Sequence, residues 1–123
     1  VDRVRVADAA DSSSVTRDLI QNFEAGEDKF DLDVAVSLVF TLNQDVTLNE
    51  ATFDQNLDNK LDSILLPGMA ILFDPNNGDL NQPNMMYLVV DGNGVNGYQA
   101  GEDYVFQLQF LTGTFNPDGS DFI

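Results

Sequence analysis

The chain has 123 residues, with 21 Asp or Glu against 5 Lys or Arg, and a net charge of −16. A field of that sign repels nucleic acid and anionic lipid and draws in cations, so nucleic acid is excluded as a partner. The chain has no Cys and no His, which removes disulfides, thiolate chemistry, imidazole bases and ordinary zinc sites.

The length fits one domain, read as a single unit 1–123 with halves 1–46 and 47–123. No apolar run approaches the ~18 residues of a membrane helix, so no membrane insertion is expected. No basic, apolar leader opens the chain, and export is expected to use another address or a leader already removed.

From the start, Arg3 to Ala7 alternates charged and apolar residues, the pattern of a half-buried strand. Asp8 to Thr16 is a polar loop. Asp18 to Phe23 is a short strand, and the turn Glu24 to Asp28 follows, where Gly26 can take positive φ. Lys29 to Asp33 makes a third strand with Phe30 and Leu32 on one face. Three brief strands between acidic turns suggest rungs of a coil more than a hairpin meander. Val4, Val6, Ile20, Phe23, Phe30 and Leu32 are expected to share one core. Ile20 and Phe23 are three apart, so their strand must bend or bulge to bury both.

Val34 to Leu42 reads as a core strand. Phe53, Leu57, Leu61 and Ile64/Leu65 then recur at helical spacing. Thr47-x-x-Glu50 forms a capping-box pattern and Pro67-Gly68 stops the element, which predicts one amphipathic helix over 49–65. Met69–Phe73, Met85–Val90 and Tyr104–Leu111 are apolar strands between turns rich in Asn, Asp and Gly. No internal repeat of fixed period is evident. The expected fold is mainly β, a β-roll-like end cap plus an antiparallel sheet or sandwich, with one helix.

The order Asp2-Arg-Val-Arg-Val6, polar loop, Asp18-Leu-Ile-Gln-Asn-Phe23 and Gly26-Glu-Asp-Lys-Phe-Asp-Leu32 resembles the C-terminal modules of serralysin-like and other RTX exported proteins. Asn22 stands where that pattern has a second Asp, and no calcium-binding nonapeptide repeat is present. Tyr87 to Val90, Asp91-Gly-Asn93, Gly97-Tyr-Gln-Ala-Gly-Glu-Asp103 and the strand after it resemble a bluetail-type tail of bacterial surface proteins. The resemblance implies an extracellular or cell-surface location, calcium as the cation and type I secretion machinery as a partner. The ending Asp121-Phe-Ile123 fits the acid-plus-hydrophobics tail of such substrates.

Asp91, Asn93, Val95 and Glu102 fall at positions 1, 3, 5 and 12 of an EF-hand-like loop, with Asp103 competing as the closing carboxylate. Val95 offers only its carbonyl, and the required Gly is displaced to 97. These five residues are the candidate Ca2+ ligands; an ion-free Asx-rich turn is the competing reading. Asp74, Asn76, Asn77 and Asp79 form a shorter cluster that a turn explains by itself. Asp18, Asp28, Asp31 and Asp33 are candidates to line the edge of a coil, or to act as charges that discourage edge pairing.

No catalytic residues are expected. Ser12, Ser13 and Ser14 have no imidazole base, and carboxylate-only sugar hydrolysis needs a platform that a chain without Trp is poorly placed to build. The function expected is a non-enzymatic, calcium-associated structural and secretion domain of an exported protein. Alternatives are a filament or S-layer subunit that self-associates through β edges, and a carbohydrate- or protein-binding module. An exposed aromatic patch at Tyr87, Tyr98 and Tyr104 would mark the last of these.

Overall fold

The computed structural model describes residues 3–6, 9 and 12–123. Asp2, the strand end at Ala7, and Asp8 with most of the first half of its loop lie outside the described residues. Among the described residues the elements in chain order are β1 (Arg3–Val6), β2 (Asp18–Gln21), β3 (Glu24–Ala25), β4 (Lys29–Leu32) and β5 (Leu38–Leu42). They continue with a 3-10 turn (Glu50–Thr52), α1 (Phe53–Leu61), β6 (Met69–Phe73), β7 (Met85–Val90), β8 (Tyr104–Gln109) and β9 (Thr112–Gly113). The fold is mainly β with one short helix.

β1, β2 and β3 each enter a different sheet, so they form a turn of a coil instead of a hairpin. β4 lies parallel on β1, with Arg3 opposite Lys29 and Val6 opposite Leu32. β8 lies parallel on β2, and β9 parallel on β3. Phe122 then makes a parallel bridge to Phe30. A second turn is thus stacked on the first and a third is begun, with residues 33–103 looped out between β4 and β8.

The inward residues of the short strands hold the coil together. Phe23, Phe30, Leu32, Phe106, Leu108, Phe115 and Phe122 are buried in one cluster with Val6, and Val4 and Ile20 pack against it partly exposed. Phe30 stacks on Phe23 at 4.6 Å and on Phe122 at 5.3 Å between ring centroids. Each such side chain contributes ~1.5–3 kcal/mol by burial. The expected bend between Ile20 and Phe23 lies at Asn22, whose φ of 60° turns Phe23 into the core.

The looped-out segment widens one side of the coil into a five-stranded sheet of order β2-β8-β7-β6-β5. β6, β7 and β8 run antiparallel, as the second half of the sequence suggests, whereas β2 and β5 join parallel at the edges. Alternation sorts its side chains. Ala70, Leu72, Leu88, Val90, Tyr104, Phe106 and Leu108 face the coil. Met69, Ile71, Phe73, Tyr87, Val89 and Val105 face α1, which lays Phe53, Leu57, Leu61 and the following Leu65 on them.

Three local expectations are corrected. The helix is Phe53–Leu61 with a 3-10 turn before it, shorter than 49–65. The capping box does not form. Thr47 is held in a bridge to Asn77, and the Glu50 side chain is taken by Arg17. The strand expected over Val34 to Leu42 begins only at Leu38. Before it, the chain crosses the end of the coil, where Gly119 packs so closely on the Val36 carbonyl that no side chain would fit.

Candidate metal centre

The loop between β7 and β8 carries all five candidate ligands and sorts them into three settings. Asp91 and Asp103 are buried at its base. Asp91 accepts from the Gly68 and Gly94 amides, each at 3.2 Å. Asp103 accepts from the Gly92 amide at 2.9 Å and the Gln99 amide at 2.8 Å. Asn93 and Val95 lie at the exposed tip, where the Asn93 side chain accepts from the Val95 amide at 3.1 Å. Glu102 is exposed and borders a small hollow of about 160 Å³ with Asp33, Gly92 and Gly101.

The EF-hand-like spacing is therefore not reproduced as one ring of oxygens. Gly94, Gly97 and Gly101 all take positive φ, so the loop turns repeatedly instead of wrapping once. Among the described residues no three acidic side chains converge as a metal-binding group. What the base of the loop offers is two buried carboxylates, each with lone pairs left beyond its amide donors. Burial pushes the Asp103 carboxyl up to about 6, the charges of Asp91 and Glu102 add to this, and the Gly92 and Gln99 amides pull it the other way. Cations are attracted by that arrangement, and a hard cation is the kind that carboxylate, amide and carbonyl oxygens hold.

Asp103 belongs to a set that the sequence reading passed over. Gly26-Glu-Asp28, Gly101-Glu-Asp103 and Gly119-Ser-Asp121 each put a positive-φ Gly two residues before a buried Asp. In each, the carboxylate accepts a backbone amide just upstream: Glu24 at 2.8 Å, Gln99 at 2.8 Å and Asn116 at 2.7 Å. Asp121 also accepts from the Gly26 amide at 2.9 Å, tying the third turn to the first. Each Asp immediately precedes β4, β8 or the Phe122 bridge. The shared Ala-Gly-Glu-Asp at 25–28 and 100–103 is visible in the sequence, but irregular spacing hides it from a search for one period.

The remaining candidates are accounted for locally. Asn76 accepts from the Val46 amide at 2.9 Å and Asp79 from the Glu50 amide at 2.9 Å, so that cluster anchors the 45–50 loop. Asp31 and Asp33 face Arg3 and Arg5, while Asp18 begins β2 in another sheet. Ser12, Ser13 and Ser14 are buried, and Ser12 donates to the Val105 carbonyl at 2.6 Å while accepting from the Asp18 amide. Tyr87, Tyr98 and Tyr104 are all buried, so they form no exposed aromatic patch. Tyr98 donates to Asp54 at 2.6 Å, and burial with that neighbour raises its pKa.

A concavity of about 610 Å³ lies between Ser14, Arg17, Glu50, Phe53 and Gln107. Arg17 fills its wall. The guanidinium lies 4.5 Å from the Phe53 ring centroid, donates to Gln107 and Ser14, and is met by both Glu50 oxygens. That contact holds the Glu50 carboxyl below its ordinary pKa. Residue pairing within the chain thus uses most of the polar groups in this groove.

No protein-family model, curated protein or solved structure matches the chain. Among the described residues, no helix is long and apolar enough to cross a membrane.

Proposed function

We propose that the chain is a non-enzymatic, calcium-associated structural module that ends a parallel β coil in an exported bacterial surface or extracellular protein. The observation that carries this reading is the coil itself. Three strands per turn stack in parallel, β4, β8 and the Phe122 bridge are each entered through a Gly and a buried Asp, and one end of the coil is closed by residues 34–37 and Gly119. The resemblance of residues 1–33 to RTX-type modules implies a β-roll-like end cap, and a stacked coil is compatible with that; the loop at 91–103 has the strand–loop–strand order of a bluetail-type tail. Asp91 and Asp103 would hold calcium with carbonyl oxygens and water, relieving the repulsion of two buried carboxylates in a chain of −16. Asp121 and Phe122 are buried in the third turn, so secretion machinery that reads this tail would meet it before folding.

Thermal melts in calcium, magnesium and NaCl of matched ionic strength test the reading. Calcium at a hundredfold excess over its dissociation constant is expected to stabilise by ~2.7 kcal/mol. Magnesium and NaCl are expected to act only through gradual screening. Asp103→Asn should remove the calcium increment while leaving the screening response. A calcium shift no larger than that of magnesium defeats the proposal.

A further inference from the structure

We infer that Asn93 is a self-modification site, whose side-chain amide is converted to a carboxylate by attack of the Gly94 backbone nitrogen. The inference stands independently of the structural role proposed above. The chemistry needs only water. The Gly94 nitrogen bonds to Asn93 Cγ, the bond from Cγ to Nδ2 breaks, and ammonia leaves with the proton that the Gly94 nitrogen sheds. Water then opens the cyclic imide at either carbonyl, which leaves aspartate or its β-linked isomer. Glycine favours the attack because it puts no side chain beside the nucleophile.

The chain has three Asn-Gly pairs, Asn77-Gly78, Asn93-Gly94 and Asn96-Gly97, and the fold treats them differently. Asn77 is clamped in a parallel bridge to Thr47, and its carbonyl accepts from the Leu48 amide at 3.0 Å. Gly78 lies hard against the Leu48 backbone. At the third pair the nucleophile itself is engaged. The buried Gly97 amide donates to the Leu65 carbonyl at 2.7 Å, and Gly97 packs on Asp62. Asn93 and Gly94 are both exposed, and the space beside Gly94 is open.

Two contacts at this tip favour the step. The Val95 amide donates to Asn93 Oδ1 at 3.1 Å, the atom on which negative charge gathers as the nitrogen adds to Cγ. The ring closed by that hydrogen bond includes the Gly94 nitrogen, so the side chain is bent back toward its own nucleophile. The Gly94 amide donates to Asp91 Oδ1 at 3.2 Å, a longer tie than that of Gly97 and one made to a carboxylate that can receive the departing proton. The product puts a further carboxylate at the tip of a loop whose base already buries Asp91 and Asp103, in a chain already at −16. The loop thereby becomes a stronger attractor of cations as the protein ages.

The test is to age the whole chain in calcium-free, mildly alkaline buffer, separate it by anion exchange and map the product by peptide mass spectrometry. A more acidic species is expected to accumulate, with Asn93 converted at least about tenfold faster than Asn77 or Asn96. In urea, where the fold is lost, the three pairs present the same link and should convert within about threefold of one another. Asn93→Gln lengthens the side chain so that the imide no longer closes readily, and should abolish the acidic species. Asn96→Gln should leave it unchanged, and melting curves of both variants show that the fold is kept. Conversion of Asn77 or Asn96 at the rate of Asn93 in the folded chain overturns the inference, as does full accumulation of the acidic species in Asn93→Gln. The same preference for Asn93 in urea would place the selection in the sequence instead of the fold, and overturns it equally.

Discussion

The first and second turns of the coil follow the same three-strand path, yet they solve it with different residues. In the first turn residues 7–17 join β1 to β2 and residues 22–23 join β2 to β3, whereas the second turn carries residues 33–103 between β4 and β8 and still returns to register. Both turns corner at a left-handed residue: Asn22 after β2, with φ 60°, and Phe110 after β8, with φ 58°. These stand side by side, since Gln21 pairs with Gln109. Among the described residues, β1 pairs with β4 alone, while the second turn is also met by the Phe122 bridge and by the chain crossing at 34–37. Register in such a coil comes from the stacked inward residues and the Asp-held turns, so an insertion on one side is tolerated as long as both are kept.

The sharpest way to break the contrast is at the closed end. Gly119 has φ +81°, and a Cβ there would strike the Val36 carbonyl, so neither the backbone nor the space admits Ala. Gly119→Ala is expected to lower stability by ~3 kcal/mol or more. Gly101, also left-handed at φ +78°, faces open space, and Gly101→Ala should lower it by only about 1 kcal/mol. Denaturant unfolding of the two variants checks this; equal losses would mean that the closed end is not packed as described.

Acid acts on the second turn through Asp103. Its carboxyl lies at about 6 in the fold and near 3.8 when exposed, so the folded state binds a proton more readily than the unfolded one. The sign is that of a raised pKa: the contribution is complete below about 4 and is lost as pH rises through about 6. Melting midpoints should therefore rise on acidification from pH 7 to pH 5, by an amount equivalent to roughly 1 kcal/mol. Asp103→Asn, which cannot titrate, should flatten the dependence. An unchanged profile in that variant would move the effect to general charge repulsion.

How much of this was legible in the sequence follows from how local each cause is. β6 and β7 were read to the residue, because continuous apolar runs between turn residues leave little choice. The shared core of Phe23, Phe30 and Leu32 was also legible, from period-two alternation in short strands. The pairing of β2 with β8 was not, since it joins segments far apart in sequence and no residue on β2 announces its partner. The candidate loop was legible as a turn, but not as a pair of buried aspartates that spend their oxygens on backbone amides. Thr47 and Glu50 fit a capping box locally, and long-range partners, Asn77 and Arg17, claimed them instead.

The corner residues give the finest distinction between the two turns. Asn tolerates the left-handed region because its short side chain can hydrogen-bond locally, so Asn22 is the expected occupant. Phe110 has no such compensation and is 48% exposed, so burial repays only part of the strain. Its conformation is fixed from both sides, by the Phe110 amide donating to Asn84 at 2.9 Å and by the pairing of β8 with its neighbours. Replacing Phe110 removes side-chain contacts as well as strain, so a single variant would mix the two. The pair Phe110→Ala and Phe110→Gly separates them, since both lose the ring and differ chiefly in the penalty for positive φ. In an ordinary strand Ala is the more stable by ~0.5–1 kcal/mol. Here the order should invert, with Gly the more stable by about 1 kcal/mol in chemical denaturation. If Ala matches or exceeds Gly, the corner of the second turn is not left-handed, and the two turns differ in backbone as well as in side chain.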